Sequence, residues 1–157
     1  MRSLKKNIRF LKWYPPYLGS GIKLASYNEE FTRLEVVMKM HWWNRNLVGT
    51  HFGGSLYSMC DPFHMFILME NLGKDYIVWD KSAVIKFLRP IKQTVYSRFL
   101  ISDEQIKEIK EKIKADKEYE VELFAEFQDK EGKAYAFVSK NIYIADVSYF
   151  KNKLEGK

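Results

Sequence analysis

The chain has a single cysteine, Cys60, in 157 residues. That excludes an intrachain disulfide and any Cys-rich metal site, and it suits a reducing compartment. Long apolar runs are missing too: nowhere do 18 or more apolar residues follow one another, the length a spanning helix needs. The N-terminus is broken by Arg2, Lys5, Lys6 and Arg9, with no continuous apolar stretch behind them. A secretory signal is therefore not expected, and the cytoplasm is the default location. No segment repeats, no stretch is of low complexity and no linker divides the chain, so residues 1–157 read as one domain. His41, His51 and His64 have no second His or Cys at metal-ligand spacing, so no metal is expected. No zinc-finger or RNP pattern occurs, and nucleic acid is not an expected partner.

What is present is aromatic and mildly basic. Aromatic residues make up 16%, which suits pleated sheets. The net charge is +6, much of it in Lys5, Lys6, Arg9 and Lys12, with more in the Lys-rich stretch from Lys107 to Lys117. Such charge is either a solvated surface or an attraction for an anionic partner, a phosphorylated ligand or a membrane face.

Patterning gives the order of elements. Leu4, Ile8 and Leu11 form the stripe of a short amphipathic helix, which Pro15-Pro16 ends; helix and turn occupy residues 1–18. Trp13, Tyr14 and Tyr17 flank the break and are expected to cover one end of the core. Gly19-Ser20-Gly21 reads as a turn, and Ile22–Tyr27 and the alternating Arg33–His41 read as a hairpin. Gly53-Gly54 then opens a stretch apolar on most sides, the pattern of a buried helix over 53–73, with Gly73 as its C-cap and Pro62 as a kink or break. After Tyr76–Trp79 the chain turns strand-like, and strands are expected at Ser82–Leu88, Thr94–Ile101, Tyr119–Gln128 and Ala134–Ala145. Ser102 and Gln105 have capping-box spacing before the stripe Ile106, Ile109, Ile113, and the tail after Tyr149 is expected to fray. Antiparallel strands around one buried helix make the class α+β.

The segments Pro15-Pro16-Tyr17-Leu18, Asn44-Arg45-Asn46, Thr50-His51-Phe52-Gly53-Gly54, Asp61-Pro62-Phe63, Val78-Trp79-Asp80-Lys81 and Phe87-Leu88-Arg89-Pro90 span most of the chain. Together they resemble the hot-dog superfamily of PaaI-like acyl-CoA thioesterases, and most of all a branch without an assigned reaction. The resemblance implies an antiparallel sheet of about five or six strands wrapped around one long central helix. It also implies a homodimer or homotetramer with its pocket between protomers. Its substrate would be an acyl thioester of coenzyme A or an acyl carrier, with no separate cofactor. By the same resemblance Asp61 is the acidic residue that acts as base or nucleophile, Asn46 the loop amide and Gly53 the N–H donor. Gly54, Thr50, His51, Phe52, Ser58 and Arg89 are the substrate-binding candidates. Phe52 stands where active relatives carry a histidine, and His51 is one residue away.

The residues themselves support each role against a plainer one. A thioester carbonyl needs a carboxylate to activate water or attack, and a fixed donor for the oxyanion, which a helix start supplies. Gly53 and Gly54 would let the backbone approach substrate, or simply make a tight entry to the helix. Asp61 in an apolar helix is costly unless paired or wet, which suits catalysis; before Pro62 it also has the form of an N-cap. His64 follows one turn after Asp61 and could pair with it, or be a satisfied structural histidine. Cys60 reads as a small buried hydrophobe. Arg89, Lys86 and Lys92 could hold coenzyme A phosphates or be surface charge. Two functions remain: a thioester hydrolase, or a non-catalytic acyl or lipid binder, which Phe52 favours. A membrane role for the basic N-terminal helix is a third.

Overall fold

The computed structural model describes residues 4–156. The first three residues of the predicted N-terminal helix, and Lys157, lie outside the described residues.

β1 (Ile22–Tyr27), β2 (Arg33–Met38), β3 (Tyr76–Phe87), β4 (Val95–Leu100), β5 (Glu118–Gln128) and β6 (Ala134–Asp146) form one sheet in the order β1-β2-β4-β5-β6-β3. Every pairing is antiparallel. The alternation read from the sequence sets the faces: Leu34, Val36 and Met38 of β2 are buried, as are Leu123, Ala125 and Phe127 of β5.

The apolar stretch after Gly53-Gly54 lies against the buried face as two helices. α3 covers Gly53–Cys60 and α4 covers Phe63–Leu72, with Gly73 as the C-cap. Proline 62 divides them, as its missing N–H requires. Leu56, Met59, Phe63, Ile67 and Leu68 join Val36, Phe99, Val138 and Ile142 in one core. α5 (Asp103–Asp116) packs on β5 and α4 through Ile106, Ile109 and Ile113. Its capping box is complete: the Ser102 hydroxyl accepts from the Gln105 N–H at 3.2 Å, and the Gln105 side chain accepts from the Ser102 N–H at 3.0 Å.

Five local readings are corrected. Pro15-Pro16 does not only end the first helical segment (α1, Leu4–Asn7, and a 3-10 turn over Ile8–Trp13); it starts α2, Pro15–Ser20. Proline at the first helical positions gives up an N–H that has no partner there anyway. Accordingly, Gly19 and Ser20 are helical and Gly21 alone turns the chain, at φ +76°. Trp13 and Tyr14 do not cover the core: both are exposed, and only Tyr17 is buried, stacked on Phe63. The strand read from Ser82 starts earlier, at Tyr76: β3 is continuous to Phe87 and irregular between Asp80 and Ser82. The tail does not fray after Tyr149 but forms α6, Val147–Leu154, because the Asp146 carboxylate caps the N–H groups of Ser148 and Tyr149.

Candidate active site

The loop before α3 is shaped by two asparagines. Asn44 accepts from His41 N–H at 2.8 Å and donates to the carbonyls of Ser20 and Lys39, at 2.8 and 2.7 Å. Asn46 accepts from the N–H groups of Val48 and Thr50, at 3.1 and 3.0 Å, and donates to the Thr50 hydroxyl at 2.8 Å. The sequence proposed Asn46 as a loop amide for substrate; within one chain its polar atoms hold the loop. His51 is buried, and its Nε2 donates to the Gln93 carbonyl at 2.9 Å. Burial keeps its ring below the ordinary histidine range, so this tautomer is neutral at pH 7.

These residues border a groove of about 440 Å³ whose walls include Asn46, Thr50, His51, Gly53, Phe87 and Arg89. Five of the sequence candidates thus converge there. The two glycines have a steric reason. A Cβ on Gly53 would lie 3.2 Å from Phe87 Cζ, and one on Gly54 would lie 2.5 Å from Cε1 of Phe52. Phe52 is the N-cap of α3 but offers no side-chain bond, so the first N–H groups of this helix are not capped by a side chain. The Ser58 hydroxyl donates back to the Gly54 carbonyl at 2.9 Å, which commits its proton to its own helix.

Asp61 is elsewhere, at the break between α3 and α4. It does not cap α4: no side-chain bond reaches that helix start. Its carbonyl accepts from the Tyr17 hydroxyl, and its carboxylate is 53% exposed, 3.6 Å from the ammonium of Lys140. Lys140 belongs to β6, its side chain 1% exposed, and it is paired directly with Asp80 of β3. Burial opposes its charge. The bond to Asp80 and the charges of Asp80 and Asp61 together outweigh burial and hold the ammonium above the ordinary lysine range.

Neighbouring groups are inert. Burial pushes the Cys60 thiol up to about 12. His64 does not pair with Asp61: neither ring nitrogen has a partner, and the ring stands edge-on to Phe99. Burial, with the charge of Lys140, pulls it down to about 3. Lys86 and Lys92 are exposed and do not border the groove, whereas Arg89 does, with its guanidinium 5.9 Å from the Tyr135 ring centre.

The Lys140–Asp80 pair was not among the sequence candidates. A signal was there: Ala136, Val138, Lys140, Ile142 and Ile144 share one parity on β6, and a lysine at an inward position demands a partner.

A six-stranded antiparallel sheet wrapped on a buried helical segment, with a glycine-opened helix start at a groove, defines the hot-dog fold. Solved structures agree on the fold. A probable thioesterase of unknown function from Pseudomonas aeruginosa matches with a TM-score of 0.73 and 17% identity, over 92% of this chain and 93% of that one. A thioesterase from Haemophilus influenzae matches at 0.66 and 13%, over 90% of each chain. The PaaI protein of the phenylacetic acid degradation operon of E. coli matches at 0.61 and 14%, over 92% and 94%. No curated protein matches the sequence. Residues 7–144 match the domain of unknown function DUF4442, and the chain belongs to that family.

Proposed function

We propose that this protein hydrolyses acyl thioesters, of coenzyme A or an acyl carrier, with Asp61 as the general base or nucleophile. The observation that carries the reading is the state of Asp61: a carboxylate at the break of a buried helix, half exposed, not used by its own backbone and set beside a buried cation. Such a group can take a proton from water or attack a carbonyl directly. The tetrahedral oxyanion would be held by the Gly53 N–H, backed by the positive end of α3. Collapse expels the thiolate, a good leaving group, which then takes up a proton.

One chain does not bring these parts together. Asp61 follows Gly53 by a whole helix, a rise of about 12 Å. A carbonyl cannot touch both within one protomer, so the reading requires a homodimer, alone or within a tetramer, in which Asp61 of one copy faces the groove of the other. β3 is suited to that assembly. It is an edge strand of 12 residues, and the apolar Val84 and Phe87, with Leu88 beyond its end, are exposed. Arg89 at the groove would serve a coenzyme A phosphate, and the setting would be the cytoplasm.

Asp61→Ala is expected to lower hydrolysis of an acyl-CoA panel at least about 100-fold. Stability should change by less than about 1 kcal/mol, because the carboxylate lost is half exposed and Lys140 keeps its direct partner Asp80. Unchanged turnover would remove Asp61 from the chemistry.

A second reading, a non-catalytic acyl or lipid binder, draws on Phe52. It replaces a polar ring by an apolar one over Gly54, beside a groove that also has Leu56 and Phe87 in its walls. Native mass spectrometry after incubation with acyl-CoAs separates the two: cleaved product supports the hydrolase, and retained intact ligand supports the binder.

A further inference from the structure

The +6 charge of the chain is not spread over it. Residues 1–28 contain six basic residues and no acidic one, which leaves twenty basic against twenty acidic in the remainder. The structure then sorts this segment into two neighbouring surfaces. On one, Arg9 and Lys12 meet Lys23 of β1 around a groove of about 440 Å³ that has no acidic side chain in its walls. None of these three cations, nor Lys6, forms a salt bridge among the described residues. On the other, Phe10, Trp13 and Tyr14 border an apolar groove of about 380 Å³ with Leu4, Leu11 and Phe66.

The aromatic rings are displayed rather than used. Phe10 is 57% exposed and Trp13 66%, while the inward positions of the same segment are taken by Ile8 and Tyr17. Arg9 stands 5.3 Å from the Phe10 ring centre, and the Lys12 ammonium 5.5 Å from that of Trp13. Phe10 and Trp13 therefore each have a cation beside them. Exposed aromatic rings interleaved with unpaired cations suit the boundary of a bilayer: rings settle at headgroup depth, and ammonium and guanidinium groups meet the phosphates. A purely apolar protein partner would leave the cations desolvated and unpaired, whereas an anionic bilayer meets both halves of the surface.

We propose that this N-terminal face docks the protein on an anionic lipid bilayer as a peripheral protein. No helix among the described residues is long and apolar enough to cross one. The inference is independent of the thioesterase reading, and its test uses no turnover. The full chain is floated with vesicles of phosphatidylcholine alone, or with about 30% phosphatidylglycerol, at low salt and at about 0.5 M salt. The expected result is flotation with the anionic vesicles at low salt only. The charge variant Arg9→Glu/Lys12→Glu/Lys23→Glu should lose binding at least about 100-fold, since each basic residue at the surface contributes about fivefold and reversal counts twice. Phe10→Ser/Trp13→Ser should weaken it about tenfold or more while the oligomeric state stays unchanged. All these side chains are exposed, so the variants are expected to fold, with circular dichroism as the check. Equal flotation with both vesicle types, or no flotation of the parent protein, overturns the proposal. So does a change of oligomeric state in Phe10→Ser/Trp13→Ser without any vesicle binding, which would assign the face to a second copy of the chain.

Discussion

Lys140 and the lysines of the N-terminal segment carry the same charge in opposite circumstances. Lys140 is inside the sheet, with Asp80 bound to it and Asp61 within 3.6 Å. Arg9, Lys12 and Lys23 are outside, with no ion pair among the described residues. A buried cation survives only where carboxylates meet it, so its position is fixed by the fold and its loss is felt by the fold. An exposed cation has water and costs nothing unpaired, so the fold does not need it. The first belongs to the candidate chemistry, the second to whatever the protein touches.

Mutation should separate the two environments by size of effect. Lys140→Met strands Asp80 and is expected to cost about 3 kcal/mol in urea unfolding. Adding Asp80→Leu should restore much of that, and a double variant no more stable than the single one would refute the pairing. Next comes His64, which sits near Lys140 with two unpartnered nitrogens. His64→Leu is expected to stabilise by about 1 kcal/mol at pH 7, since it removes buried polar atoms that make no bond. The sign of its pH dependence follows from the protons bound. Unfolded, the ring protonates near 6.5; folded, near 3. Its neutral form therefore contributes fully above 6.5 and loses that contribution as pH falls towards 3. His64→Leu should remove up to about 1.4 kcal/mol per pH unit of acid sensitivity in that window. Part of the slope should remain through His51, which burial also holds low. Smallest is Lys81→Ala: it breaks an exposed pair with Glu120, and the expected change in midpoint is under about 0.5 kcal/mol.

The sequence made some elements legible because local chemistry alone decides them. α5 follows from Ser102, Gln105 and three isoleucines on one stripe, and β5 from strict alternation of apolar residues with glutamates. Pro62 marked the break between α3 and α4 for the same reason. What depended on tertiary context was harder to read. Nothing near Pro15-Pro16 states whether the pair closes one helix or opens another, and the exposure of Trp13 is settled by where the segment lies. Asp146 looks like a strand end until the backbone turns under its carboxylate. For the site, the groove residues were recognised from the loop before Gly53, yet their separation from Asp61 follows from helix length rather than from motif. Lys140 and Asp80 are 60 residues apart in sequence, and only the pairing of β3 with β6 brings them together.

The irregularity in β3 has a consequence for how the groove can be lost. Asp80 stands opposite Ile142 and Ser82 opposite Asn141, so Lys81 is an extra residue in the ladder. Side chains after it therefore point by a different count from those before it. Phe87, a wall of the groove, lies on the later count, and Asp80, the partner of Lys140, on the earlier one. A β3 of the same length paired without the bulge would leave every chemical group of the site in the chain and yet force a choice between them: seven residues separate Asp80 from Phe87, so a regular ladder that keeps Asp80 inward turns Phe87 away.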